Sequence, residues 1–210
     1  AYEIPLRLVG SEMCIRDSDY TKGVINRIRA FEIFLEQNPG YHEKVRLVML
    51  SVPSRSDVPE YMKLKRETDE YVGKINGRFA TINWTPIWYY YRSMSFDDLI
   101  DLYTQSDIAM VTPLRDGMNL VAKEYVAAQD PSNPGVLILS QFAGAAEELD
   151  GAIIVNPYDI EAITEAINIG LKMSSEEKLH RWIRMMEQIN EFDIHKWSKN
   201  CIKAIENITV

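Results

Sequence analysis

The chain has 210 residues, 46% of them hydrophobic and 26% charged, with a formal net charge of −8. That length supports one well-buried domain and excludes two large ones, and the composition is that of a globular protein, not a disordered one. The acidic balance argues against a nucleic-acid partner, which calls for a basic surplus.

Residues 1–18 show no sustained helix or strand period and no helix cap. The run Leu8-Val9-Gly10-Ser11-Glu12-Met13-Cys14-Ile15-Arg16-Asp17-Ser18 is similar to translated adapter sequence at the ends of truncated reading frames. Residues 1–18 are therefore expected to be a foreign or unstructured leader, with an ordinary linker or first strand as the alternative. Asp19-Tyr20-Thr21-Lys22-Gly23 reads as a turn entering a helix. Val24, Ile25, Ile28, Ala30, Phe31, Ile33 and Phe34 crowd one broad face of that helix, and Pro39-Gly40 closes it. Val45 to Leu50 reads as a short central strand. Ser56 or Asp57 is the expected cap of the next helix, with Pro59 in its first turn. That helix is predicted from about Val58 to Ile75, ending at Asn76-Gly77, with its charged side solvated.

Trp84 to Tyr91 is rich in aromatics at strand spacing, which predicts core and sheet cover in preference to a sugar platform. Ser95-Phe96-Asp97-Asp98 has the form of a capping box, with aspartate in place of glutamate, before a helix to about Gln105. An apolar run ending in Ala109-Met110-Val111 reads as a buried strand. A turn with Pro113, Asp116 and Gly117 follows, then a helix from Asn119 to Gln129. Gly135 to Ser140 is a second apolar strand, followed by a small-residue turn with a short helix over 141–148. Ala152 to Pro157 is a further strand. Asp159 caps a helix to about Met173, Ser174 opens one to about Glu191, and Asp193 starts the last, which carries Trp197, Ile202 and Ile205. Apolar strands alternating with helices call for an α/β fold, a parallel sheet covered on both faces.

Strand, glycine-bearing turn and helix start at 109–120 place free backbone N–H groups at the carboxyl edge of that sheet, where they favour a phosphate or another anion. Gly117 lets the backbone approach a ligand closely, and Glu124, just over one turn into the helix, is placed to accept from ligand hydroxyls. Many strand–turn–helix units with a glycine bind nothing, so this grammar alone leaves both readings open. No nucleophile–base pair, metal-ligand cluster or hydrolase elbow is present in the sequence. His42, His180 and His195 read as surface or interhelical residues. The adjacent acids at 97–98 and 147–148 point apart on a helix and make no glycosidase pair. Cys14 and Cys201 form neither a disulfide framework nor a metal spacing. No apolar run reaches the roughly 20 residues of a membrane span, so no membrane partner is expected and a cytoplasmic setting is the default.

The run Thr112-Pro113-Leu114-Arg115-Asp116-Gly117-Met118-Asn119-Leu120-Val121-Ala122-Lys123-Glu124-Tyr125, continued by Asn133-Pro134-Gly135-Val136 and Ser140-Gln141-Phe142-Ala143-Gly144-Ala145-Ala146, closely resembles the trehalose-6-phosphate synthases. These are retaining glucosyltransferases with two facing Rossmann-like lobes, the GT-B arrangement. The resemblance runs from about Asp19 to the last residue and corresponds to the C-terminal, donor-binding lobe. It implies that Asp116 orients the donor sugar through a hydroxyl and that Lys22 holds the leaving diphosphate. It further implies that Gly117, Met118, Asn119, Leu120 and Val121 bind the donor through the loop and its N–H groups. Glu124 then takes the ribose hydroxyls, Leu99 the uracil ring and Arg55 the acceptor phosphate. The family arginine that pairs with the lysine is not matched, since its place is Asp17 and Arg16 is one residue out of register.

By the same resemblance, the reaction moves glucose from UDP-glucose to glucose 6-phosphate with retention and without a covalent enzyme intermediate. No metal or other cofactor is expected, UDP-glucose being a co-substrate. The implied partners are the two substrates, a missing N-terminal lobe against which the closing helix at about 194–208 would pack, and further copies in a homo-oligomeric full enzyme. The isolated chain is expected to be inactive. The alternatives are a related transferase such as glucosylglycerol-phosphate synthase, a pseudoglycosyltransferase, or a non-catalytic regulatory lobe of a synthase complex. A dinucleotide dehydrogenase would need a Gly-x-Gly-x-x-Gly fingerprint, and the sequence has none.

Overall fold

The computed structural model describes residues 8–11, 20–52 and 58–192, together with helical positions at 196, 198–199, 202–203 and 205–206. Six strands, β1 (Leu8–Ser11), β2 (Leu47–Ser51), β3 (Ile87–Tyr91), β4 (Ile108–Val111), β5 (Val136–Ser140) and β6 (Ile153–Val155), form one sheet in the order β3-β2-β1-β4-β5-β6. Every pairing is parallel. This is the doubly wound Rossmann order, in which the direction of winding reverses between the first and fourth strands.

The connecting helices are α1 (Val24–Gln37), α2 (Pro59–Phe79), α3 (Phe96–Thr104), α4 (Leu120–Ala128), α5 (Ile160–Lys172) and α6 (Ser175–Glu191). Alternating strand residues sort the core into two layers. Leu47, Met49, Ile108, Met110, Val136 and Ile138 pack with Ile28, Phe31, Ile75 and Ile167 from α1, α2 and α5. Leu50, Ala109, Val111, Leu137 and Leu139 pack with Leu99, Val121, Tyr125 and Met185 from α3, α4 and α6. Burial on both faces explains why β4 and β5 carry almost no polar residue. Each large aliphatic or aromatic side chain removed from water there contributes about 1.5–3 kcal/mol.

Helix starts follow the sequence closely. Ser95, Asp159 and Ser174 each accept a backbone N–H three residues on, from Asp98, Ala162 and Glu177. At Ser95 the box is modified, because Ser95 Oγ also donates to Asp98 Oδ2 at 2.7 Å. Trp84 is buried and its indole N–H donates to Val45 O at 2.9 Å. Trp88 to Tyr91 are only half-buried because β3 is an edge strand, and the Arg46 guanidinium lies 3.7 Å over the Trp88 ring.

Three expectations change. The first concerns the leader: Leu8–Ser11 forms β1, paired with β2 on one side and β4 on the other. An unstructured leader does not describe these four residues, whose run is too short to show a period. The remainder of 1–18 lies outside the described residues. The second concerns α2, which continues through Gly77 to Phe79. Asn76 stays helical while its side chain pairs with β3, Nδ2 donating to Ile87 O and Ile87 N–H donating to Oδ1, both at 3.0 Å. The third concerns the start of α2, where Val58 is the N-cap residue with no side-chain cap. Ser56, Asp57 and Asp193 lie outside the described residues.

Candidate functional site

In sheets of this order ligands bind outside the carboxyl ends of the strands, at the point where the winding reverses. Three segments meet at that edge. The 3-10 turn Tyr20–Lys22 precedes α1, residues 112–119 join β4 to α4, and residues 141–145 follow β5. The first two are laced together, with Leu114 N–H donating to Thr21 O at 2.6 Å. Gly23 sits against the end of β4 with φ +69°, and a Cβ there would lie 2.3 Å from Thr112 O, so no other residue fits. Beneath them the Arg27 side chain, 1% exposed, donates from Nε to Thr112 Oγ1 at 3.3 Å and from Nη2 to Lys22 O at 3.0 Å.

The third segment braces the second from the β5 side. Asp116 N–H donates to Phe142 O (3.1 Å), Gly144 N–H to Gly117 O (2.7 Å) and Ala145 N–H to Met118 O (2.8 Å). A Cβ on Gly144 would fall 2.1 Å from Gly117 O. The loop is thus held by backbone contacts on both sides, Leu114 and Arg115 with Thr21, and Asp116 to Met118 with residues 142–145.

Asp116 is the polar centre. Lys22 Nζ and Asn119 Nδ2 each donate to its Oδ2 at 2.9 Å, and Gly117 N–H donates to Oδ1 at 2.8 Å. The Lys22 and Asp116 side chains are 15% and 18% exposed, accessible but largely withdrawn from water. Asn119 adopts φ +65° as the N-cap of α4, and its Oδ1 accepts from Ala122 N–H at 3.0 Å. Asparagine tolerates this left-handed backbone better than most residues. Since the first intrahelical donor lies four residues in, the N–H groups of Leu120 and Val121 point out of the helix end, where the dipole favours an anion. Met118 and Leu120 extend exposed side chains beside them.

Glu124 lies one turn deeper and half-buried, and Tyr103 Oη approaches its Oε2 at 3.5 Å. Lys22, Asp116, Gly117, Met118, Asn119, Leu120 and Val121 are therefore gathered at one edge, with Glu124 on the same helix. Leu99 is placed differently. Its side chain is 2% exposed and packs in the core beside Tyr103. Arg55 and Arg16 lie outside the described residues. Among the described residues, no group of three or more His, Cys, Asp and Glu side chains is arranged to hold a metal. A groove of about 790 Å³ along α2, lined by Lys63, Arg66, Glu70 and Lys74, shares no residue with this edge.

Two contributors, Arg27 and Gly144, escaped the sequence reading, and a third, Asn119, was read as a donor-binding residue without its side-chain contact to Asp116. Arg27 interrupts the apolar face of α1, a signal that marks a buried polar contact. Gly144 stands out in a small-residue turn. The side chain of Asn119 gives no local signal, because its role depends on a left-handed backbone that only the fold reveals.

A wound parallel sheet that presents fixed N–H donors, an ammonium and a carboxylate at its reversal point belongs to the doubly wound α/β class. The family within that class is Glycosyltransferase family 20: its profile matches residues 11–207, and the chain belongs to it. The chain is 43% identical over 204 residues to the trehalose-6-phosphate synthase of Klebsiella pneumoniae subsp. pneumoniae, covering 97% of this chain and 43% of that protein. It superposes with a TM-score of 0.89 and 44% identity on a UDP-forming alpha,alpha-trehalose-phosphate synthase from Burkholderia xenovorans in complex with glucose-6-phosphate, covering 95% of this chain and 43% of that one. An Escherichia coli structure bound with UDP-2-fluoro glucose matches with a TM-score of 0.89 and 42% identity, over 95% of this chain and 44% of that one. The chain thus spans less than half the length of the relatives it matches. The family read from the Thr112-to-Tyr125 motif and the Rossmann-like parallel sheet both hold.

Proposed function

We propose that the chain is the donor-binding half of an α,α-trehalose-phosphate synthase. In that role it holds UDP-glucose while glucose is transferred to glucose 6-phosphate with retention, in a cytoplasmic setting. The observation that carries the reading is the convergence of Lys22, Asp116 and the start of α4 on one crevice. Cleaving the bond between glucose and a diphosphate leaves negative charge on the β-phosphate. The N–H groups of Leu120 and Val121 meet that charge as preorganised donors, joined by the Lys22 ammonium. Asp116 accepts from a sugar hydroxyl, and Glu124 accepts from the ribose. The choice of these substrates is supported by the relatives solved with glucose-6-phosphate and with UDP-2-fluoro glucose. Arg55 reaches the acceptor phosphate. Most other acceptor contacts are assigned to a second lobe in the remaining length of the relatives, of which this chain covers 43%, so the chain alone is expected to bind donor without turning it over.

Titration calorimetry with UDP, UDP-glucose, ADP-glucose and glucose 6-phosphate tests the reading. UDP and UDP-glucose are expected to saturate one site, and Glu124→Ala to weaken both about tenfold through loss of a charged hydrogen-bond acceptor. Tyr61→Ala on α2 should change neither. A cooperatively folded chain that binds no nucleotide, or equal losses at Glu124 and Tyr61, would refute it.

A further inference from the structure

We infer that the Lys22–Asp116 pair sets the selectivity of this crevice for a sugar nucleotide over the bare nucleotide, an inference that rests on the donor-binding reading. The two side chains assigned to opposite ends of the donor, diphosphate and sugar, hold one another: Lys22 Nζ lies 2.9 Å from Asp116 Oδ2. A carboxylate offers about four lone-pair positions. Here Lys22 and Asn119 fill Oδ2, and Gly117 N–H takes one position on Oδ1. Asp116 cannot swing away to make room, because Asn119 is itself fixed by capping α4 and Gly117 is clamped by Gly144.

A diphosphate entering at the start of α4 draws the Lys22 ammonium toward its own oxygens. That leaves one acceptor position on Asp116 vacant and a withdrawn carboxylate facing a phosphate of like charge. With a sugar nucleotide, a sugar hydroxyl donates into the vacated position and separates the two anions. A bare nucleotide has no hydroxyl there, so the broken pair and the repulsion stay uncompensated. Discrimination thus comes from a penalty on the wrong ligand as well as a contact to the right one. The device favours exchange of spent nucleotide for fresh donor.

The test is the affinity of the chain and of Asp116→Asn for UDP and for UDP-glucose, measured by calorimetry. The amide is nearly isosteric but neither pairs with Lys22 nor repels a phosphate. Asp116→Asn is expected to bind UDP about threefold more tightly, the scale of a partly exposed ion pair. Its preference for UDP-glucose over UDP should fall about tenfold, the scale of a charged hydrogen bond. Asp116→Ser must shift both affinities in the same directions, and it replaces the amide if Asp116→Asn lowers the unfolding midpoint. Weaker UDP binding in both variants overturns the selectivity device while leaving donor binding intact. Failure of the unmodified chain to bind either ligand overturns both.

Discussion

At the scale of single residues, the candidate site depends on positions that hold its loop in place. Gly144 is the sharpest case. An alanine Cβ 2.1 Å from Gly117 O must push the Asp116-to-Met118 loop off its brace. Gly144→Ala is expected to cost about 1–3 kcal/mol, the range for overpacking, and to weaken UDP-glucose binding, read by chemical denaturation and calorimetry on the same preparation. Unchanged binding with unchanged stability would show that the brace is dispensable. Asp116 and Glu124 were legible in the sequence because the motif carries them as a contiguous phrase. Lys22, 94 residues upstream of Asp116, was legible only through the separate turn Asp19-Tyr20-Thr21-Lys22-Gly23 that the resemblance also matches. Leu99 was legible only as an apolar helix position, and its role turns on which way the helix faces. Asn119 was legible as a helix start but not as a holder of Asp116.

Whole elements were easier to read than their ends. The caps at Ser95, Asp159 and Ser174 are local chemistry and needed no tertiary information. The end of α2 was misplaced because Gly77 is a weak local stop, and the contact of Asn76 with β3 outweighs it. Packing of α4 makes a further testable point. Tyr125 is buried against Tyr103, with ring centroids 6.1 Å apart, and its Oη donates to Ser106 O at 2.9 Å. Burial, reinforced by the negative charge of Asp107, raises its pKa well above the usual tyrosine range. The folded chain therefore retains a proton that the unfolded chain gives up near pH 10. Stability on this account is fully present below about pH 10 and falls as pH rises beyond it. Tyr125→Phe should lose about 1 kcal/mol at pH 8 through the missing hydrogen bond and show a shallower decline between pH 9 and 11. Parallel stability–pH curves for the two chains would contradict this account.

For the molecule as a whole, the order β3-β2-β1-β4-β5-β6 gives the N-terminal strand a central place. Deleting residues 1–18 removes the strand that joins β2 to β4 and leaves two half-sheets joined through contacts such as those between α1 and α5. The shortened chain is expected to lose cooperative thermal unfolding, followed by circular dichroism. A chain that keeps its full midpoint without these residues would vindicate the reading of 1–18 as a dispensable foreign leader. The same topology bears on how the chain is made. Val9 pairs with Ala109, and a ribosome adding about 5–20 residues per second delivers the second long after the first. For that interval β1 has at most one neighbour, β2, and its other backbone edge stays open to mispairing. What becomes the middle of the finished sheet is an exposed edge throughout its early life, and a nascent chain halted before β4 emerges is the form most in need of a chaperone.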